Sequence, residues 1–346
     1  MRFTCVGYAL GVAATVLVVA GCSGHGFSPG PDTGVSAPGA QSVWRTNQFH
    51  SNRFRPILGR VPPAPRYLGK SWAAPDAATG TLLYTCDLDA GFCEWFKVGQ
   101  NKVVGMITGL TNPVGVGVDK SGNVFVADRS GHVFEYAKGG TTLLKTLDDP
   151  GFSPEDVAVD SDGTVYVVSN LTGGFGHIAV YAGGSTTPTR ILNDPLFHAF
   201  LNSVAVDENH LLIACYNDVN NVGNCDEFAG AKAPGRKVIR NLSFVTGVLF
   251  DNAENIVVDD GSNSTTNVYK GTTFARCNTI PQTAFPYYNS IDKTNGDLFY
   301  SDIALGALVE ETFGDCVGFG SFELTYDQGI TAGQSAAATV DPGPVP

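Results

Sequence analysis

One phrase recurs along the chain and constrains its fold more than any other feature. Aligned on the aspartate that ends its first strand, it reads GVGVDKSGNVFVAD at Asp119, DVAVDSDGTVYVVS at Asp160 and SVAVDENHLLIACY at Asp207. It continues as GVLFDNAENIVVDD at Asp251 and NSIDKTNGDLFYSD at Asp292, with a weaker copy, AAPDAATGTLLYTC, at Asp76. The spacings are 43, 41, 47, 44 and 41 residues, so six units span about Trp72 to Leu324. A fixed period in this range marks a repeat architecture.

Each unit has the same interior. A short strand of small or β-branched residues leads into a turn carrying Gly, Asn or Asp, and a strongly apolar strand follows: VFVA, VYVV, LLIA, IVV, LFY. A third segment alternates polar with aromatic or aliphatic residues (EWFK, VFEY, IAVY, NVYK, ALVE), and a fourth is more variable (KVVGMI, TLLKTL, TRIL, KVIR). Short apolar runs separated by turn residues, without helical periodicity, indicate an all-β fold. Four strands per repeat predict a six-bladed β-propeller of four-stranded antiparallel blades over residues 72–325. A lone four-stranded sheet cannot bury its two apolar faces, whereas blades stacked around a ring bury each other's. The recurrent Asp119, Asp160, Asp207 and Asp251 read as turn formers whose carboxylates accept backbone N–H groups.

Pro113 to Asp128 fits the pattern P-x-G-V-x-V-D-x-x-G-x-V-[FY]-V-A-D and resembles an NHL repeat. The whole resembles six-bladed NHL-type and lactonase-like propellers. Lactonase-like relatives hold a divalent metal, usually calcium, on the axis, so the resemblance implies a test. The residues five before each aligned aspartate are Ser71, Val114, Glu155, Asn202, Thr246 and Tyr287. Glu155, Asn202, Thr246 and Tyr287 are the candidate ligand-binding residues at an axial mouth. Calcium takes six to eight oxygen ligands, and Glu155 with Asn202 falls short even if Asn112, Asp156 and Asn289 bend inward. The expectation is therefore a polar, water-filled funnel without a cofactor, with calcium on Glu155 and Asn202 as the alternative. Phe285, Tyr287 and Tyr288 either cap the core or offer a stacking surface at the mouth.

The ends of the chain bear on address. Arg2 and the uncharged apolar run Val6 to Ala20 read as a secretory signal, residues 1–21, too short to span a membrane. Val19-Ala20-Gly21-Cys22 resembles the bacterial lipobox, which implies cleavage before a lipidated Cys22 and, with Ser23 following, an outer-membrane or cell-surface address. Residues 22–46 read as a Gly-, Ser- and Pro-rich tether, and 47–71 as a lead-in or closure segment. Residues 331–346 read as a disordered tail. The six mature cysteines left after Cys5 and Cys22 permit disulfides in an exported protein. Cys86 with Cys93 and Cys215 with Cys225 can each close a hairpin, leaving Cys277 and Cys316, and free buried thiols are the other reading.

The formal charge is −12. An acidic surface repels phosphate backbones, which argues against nucleic acid as a partner. No H-E-x-x-H pattern is present, and the G-x-S-x-G match at Gly26 to Gly30 lies in the tether, not at a strand-to-helix elbow. Three functional expectations follow. The first is an envelope-anchored, non-catalytic propeller that binds a protein, a glycan or a small ligand. The second is a calcium-dependent, lactonase-like hydrolase. The third is a rigid component of an envelope assembly.

Overall fold

The computed structural model describes residues 69–88, 90–171, 176–193, 200–282, 285–302, 307–318, 321–326 and 339–340. The expected signal and tether, Cys22 and all but the last three residues of the expected lead-in lie outside the described residues.

The described chain is all-β, with one short 3-10 turn at Gly261–Asn263. Strands β1 (Trp72–Ala73), β2 (Leu82–Asp87), β3 (Phe92–Lys97) and β4 (Val103–Thr108) belong to blade 1. Blade 2 holds β5 (Pro113–Val118), β6 (Val124–Asp128), β7 (His132–Tyr136) and β8 (Leu143–Asp148). Blade 3 holds β9 (Ser153–Val159), β10 (Val165–Asn170), β11 (Gly176–Tyr181) and β12 (Arg190–Leu192). Blade 4 holds β13 (Phe200–Val206), β14 (Leu212–Asn217), β15 (Gly223–Phe228) and β16 (Arg236–Leu242). Blade 5 holds β17 (Val245–Phe250), β18 (Ile256–Asp260), β19 (Thr265–Tyr269) and β20 (Arg276–Pro281). Blade 6 holds β21 (Pro286–Ile291), β22 (Leu298–Asp302), β23 (Ala307–Thr312) and β24 (Ser321–Tyr326). A last strand, β25 (Thr339–Val340), follows. Blades 2 to 6 are antiparallel meanders in chain order, and blade 1 runs β1-β4-β3-β2-β25.

That order revises the expected ring closure. The chain's end supplies the inner strand of blade 1: β25 pairs with β2, Val340 opposite Leu83 and Thr339 opposite Tyr84. It touches β21 on one side and β5 on the other, completing the circle of inner strands β5, β9, β13, β17 and β21. The disorder expected over 331–346 therefore does not hold for Thr339 and Val340. The weak copy at Asp76 keeps a turn but lacks the inner strand. Instead β1 adds to the outer edge of β4, with Trp72 opposite Met106. Ser71 consequently sits on that outer edge, its Oγ accepting the Thr108 N–H at 3.0 Å, and not on the axis.

Apolar side chains collect where neighbouring blades meet. Phe125, Val133 and Leu147 of blade 2 pack against Val157, Val165 and Ala179 of blade 3. Leu83 and Phe96 meet Phe299, Leu308 and Tyr326 where blade 6 rejoins blade 1. Each such face is greasy on its own and dry in the ring. The repeated aspartates do what their spacing predicts. Asp119 Oδ1 accepts the N–H groups of Ser121 and Asn123, Asp160 those of Asp162 and Thr164, and Asp207 those of Asn209 and Leu211. Asp251 accepts those of Ala253 and Asn255.

Six of the eight cysteines form Cys86–Cys93, Cys215–Cys225 and Cys277–Cys316 disulfides, so the free-thiol reading does not hold for them. The first two join residues directly opposite each other in neighbouring strands.

Candidate functional site

The face on which the inner strands begin is called upper here, and the face bearing the aspartate turns lower. Every inner strand of blades 2 to 6 carries a register shift at its upper end. The skipped residues are Val114 with Gly115, Glu155, Asn202, Thr246 and Tyr288. A β-bulge bends the strand and re-aims a side chain, so the positions counted back from the aspartates are the bulge ring of the propeller. Blade 6 departs from the count. Its bulge lies one residue nearer the turn, so Tyr288 occupies the ring position and Tyr287 stays in the ladder opposite Ser301. Tyr288 has φ +49°, a backbone shape that a bulge tolerates and a regular strand does not.

The ring is filled by its own side chains. Glu155, Asn202, Thr246 and Tyr287 are all buried. Arg129, in the turn after β6, reaches Glu155 with Nε 3.0 Å from each carboxylate oxygen and Nη2 2.6 Å from Oε2. Burial raises the Glu155 pKa, and the guanidinium opposes that rise. Asn202 donates from Nδ2 to the Val245 carbonyl at 2.6 Å, and Thr246 from Oγ1 to the Pro286 carbonyl at 2.8 Å. Tyr288 donates to the Glu155 carbonyl at 3.0 Å. Val114, Tyr287 and Tyr288 form one apolar cluster, with Leu88 and Phe285 against it. The expected open polar funnel is thus a packed plug on the upper side.

These residues do not fit calcium. A metal on Glu155 would have to displace the guanidinium from both carboxylate oxygens, and Asn202 and Thr246 already hold neighbouring strands. Among the described residues no three Asp, Glu, His or Cys side chains gather as a cation site.

Below the plug the axis opens into a cavity of about 240 Å³, walled by the lower halves of β5, β9, β13, β17 and β21. Inner strands lie at the edge of their sheets, so unpaired backbone groups face this space. Val118, Val159, Val206, Phe250 and Ile291 add apolar surface. Its upper end carries Asp156, whose Oδ2 accepts Ser203 Oγ at 2.7 Å and the Val204 N–H at 3.0 Å, while Oδ1 accepts the Val157 N–H at 2.9 Å. Burial pushes the Asp156 carboxyl up to about 7 against those hydrogen bonds. Gly115 leaves room for it, since a Cβ there would lie 2.6 Å from Asp156 Oδ1. Lys293, exposed, lines the lower end. Ser203 ties β9 to β17 as well, accepting the Val248 N–H at 3.1 Å.

Sequence reading misses Arg129, Ser203 and Lys293. Arg129 has no motif, because its partner lies 26 residues away in the next blade. Ser203 and Asp156 occupy the same place in their repeats, the residue after the bulge, and only the fold gives that place a meaning.

The architecture defines the class of the protein: a six-bladed β-propeller with an axis plugged above and open below. Residues 143–170, which run from β8 through β10 and include Glu155 and Asp156, match the strictosidine synthase-like, N-terminal family. The chain is similar to a chain of the crystal structure of a nidogen/laminin complex at 15% identity and TM-score 0.58, over 76% of this chain and 98% of that one. It is also similar to a functionally unknown protein from Desulfotomaculum acetoxidans DSM 771 at 11% identity and TM-score 0.54, over 71% and 80%. At such identities the likeness shows the fold alone, which hosts many functions. No curated protein matches the chain.

Proposed function

We propose that this protein is a non-catalytic binding module, anchored to the cell envelope through lipid on Cys22, whose propeller takes a small ligand into the axial cavity from the lower face. The cavity carries this reading: it is the place on the axis where apolar walls, edge backbone groups and buried polar side chains surround free volume. Its volume lies below the ~300–1,000 Å³ of drug-sized pockets, which favours a small metabolite over a glycan chain or a folded partner. Anchoring is supported by the Val19-to-Cys22 sequence and the tether, and export by three disulfides. The acidic charge argues against nucleic acid. A calcium-dependent hydrolase has less support, because Glu155 is already paired with Arg129.

A thermal-shift screen of small metabolites against the mature protein tests the binding reading. A hit whose effect is lost in Val159→Phe, which fills the cavity, and kept in Asn202→Ala supports it. A hit with the opposite pattern places the ligand on the upper face and rejects it. Metabolic labelling with palmitate, lost in Cys22→Ala, tests the anchor.

A further inference from the structure

We propose that the axial cavity selects a small zwitterion, its ammonium group held by Asp156 at the closed end and its carboxylate by Lys293 at the rim. This rests on the binding reading above and names the ligand class for that cavity.

The two ends of the cavity differ in sign. Asp156 is buried, and its hydrogen bonds come from Ser203 Oγ and two backbone N–H groups. Among the described residues no cationic side chain pairs with it, and its charged neighbour Glu155 is already taken by Arg129. A buried carboxylate without a counter-ion is costly, and a ligand that brings one is favoured over a neutral ligand of the same shape. With one donor on Oδ1 and two on Oδ2, part of the carboxylate's acceptor capacity is unused.

At the other end, Lys293 Nζ makes a 3.5 Å contact with the Asp251 carbonyl, and among the described residues no carboxylate lies within salt-bridge distance of it. Between the two, Asp156 precedes its turn residue Asp160 by four residues, and Lys293 directly follows the equivalent Asp292. At about 3.3 Å per residue this separates the charges by roughly 13 Å before the lysine bends inward. An α-amino acid is too short to reach both. An ω-amino acid or a short peptide spans the distance, with its chain against Val159, Val206 and Ile291. A lone divalent cation fits less well, since Asp156 is the one carboxylate among the lining residues and calcium takes six to eight oxygen ligands.

The test is a matched series of one length, run by calorimetry on the mature protein about one pH unit above the Asp156 value: δ-aminovalerate, n-pentylamine, valerate and pentanol. The expected order has δ-aminovalerate tightest, with each singly charged analogue weaker by about tenfold. Asp156→Asn should abolish the preference for the ammonium group. Lys293→Met, at an exposed position that leaves the fold intact, should abolish the preference for the carboxylate alone. Equal binding of δ-aminovalerate and pentanol, or tighter binding of valerate, overturns the zwitterion while leaving the cavity as a binding site. If no member binds, and no metabolite hit responds to Val159→Phe, both the zwitterion and the cavity reading fall.

Discussion

Arg129 closes on Glu155 through two nitrogens, and the pair bridges the outer turn of β6 in blade 2 to the bulge of β9 in blade 3. The carboxylate is wholly buried. Removing the guanidinium leaves an uncompensated charge in the plug. Arg129→Met should therefore destabilise the protein by about 3–5 kcal/mol in urea unfolding, and Arg129→Met with Glu155→Leu should recover much of that loss. A double variant no better than the single one would show that the pair acts through packing instead.

Acids raised by burial set the pH dependence of stability. Burial pushes Asp156 and Asp259 up to about 7 and Glu94 to about 8. In the unfolded chain such groups titrate near ~4. Between ~4 and the folded values the native state binds more protons than the unfolded state, so stability falls as pH rises through that window. Urea midpoints should be higher near the acidic end of the window than at its alkaline end. Asp156→Asn should flatten the slope. A midpoint that climbs with pH would contradict the assignment.

The recurring aspartates make blades 2 to 6 legible in the amino-acid sequence. Each carboxylate must satisfy two N–H groups in its turn, so sequence and local geometry are tied at Asp119, Asp160, Asp207 and Asp251. Blade 1 is not legible in the same way. Asp76 preserves the turn phrase, yet the inner strand it should follow comes from the far end of the chain. Thr339-Val340-Asp341 repeats the strand ending seen at Val118-Asp119 and Val159-Asp160, a signal masked by its alanine- and proline-rich surroundings. Tyr288 is hidden by a one-residue difference in strand length. The plug itself is invisible in sequence, because residue counting finds which side chains reach the axis but not that Arg129 arrives from a neighbouring blade to fill it.

The closing strand makes a further expectation. Deleting residues from Thr339 onward uncovers the inner edge of β2 and removes its ladder with β25. The loss should reach about 2 kcal/mol from the missing backbone bonds, and the bare edge should promote aggregation. Light scattering during a thermal ramp would register both. An unchanged midpoint would show that the ring closes without β25.

The disulfides should rank by the length of chain they enclose. Cys277–Cys316 spans 39 residues, against 7 for Cys86–Cys93 and 10 for Cys215–Cys225. In the chain-entropy picture its removal by paired Ala substitution should cost about 1.5 kcal/mol more than removal of Cys86–Cys93. Chemical unfolding of the paired variants gives the comparison, and an inverted order would show that native-state packing outweighs chain entropy.

A crystal structure of the protein grown with δ-aminovalerate tests most directly an axis sealed above by Arg129 and Glu155 and open below to a ligand. The predicted result is the ligand lying along the axis between Asp156 and Lys293, with Arg129 still on Glu155. A ligand seated on the upper face against Tyr287, or a Glu155 freed from Arg129 and holding a metal ion, would contradict it.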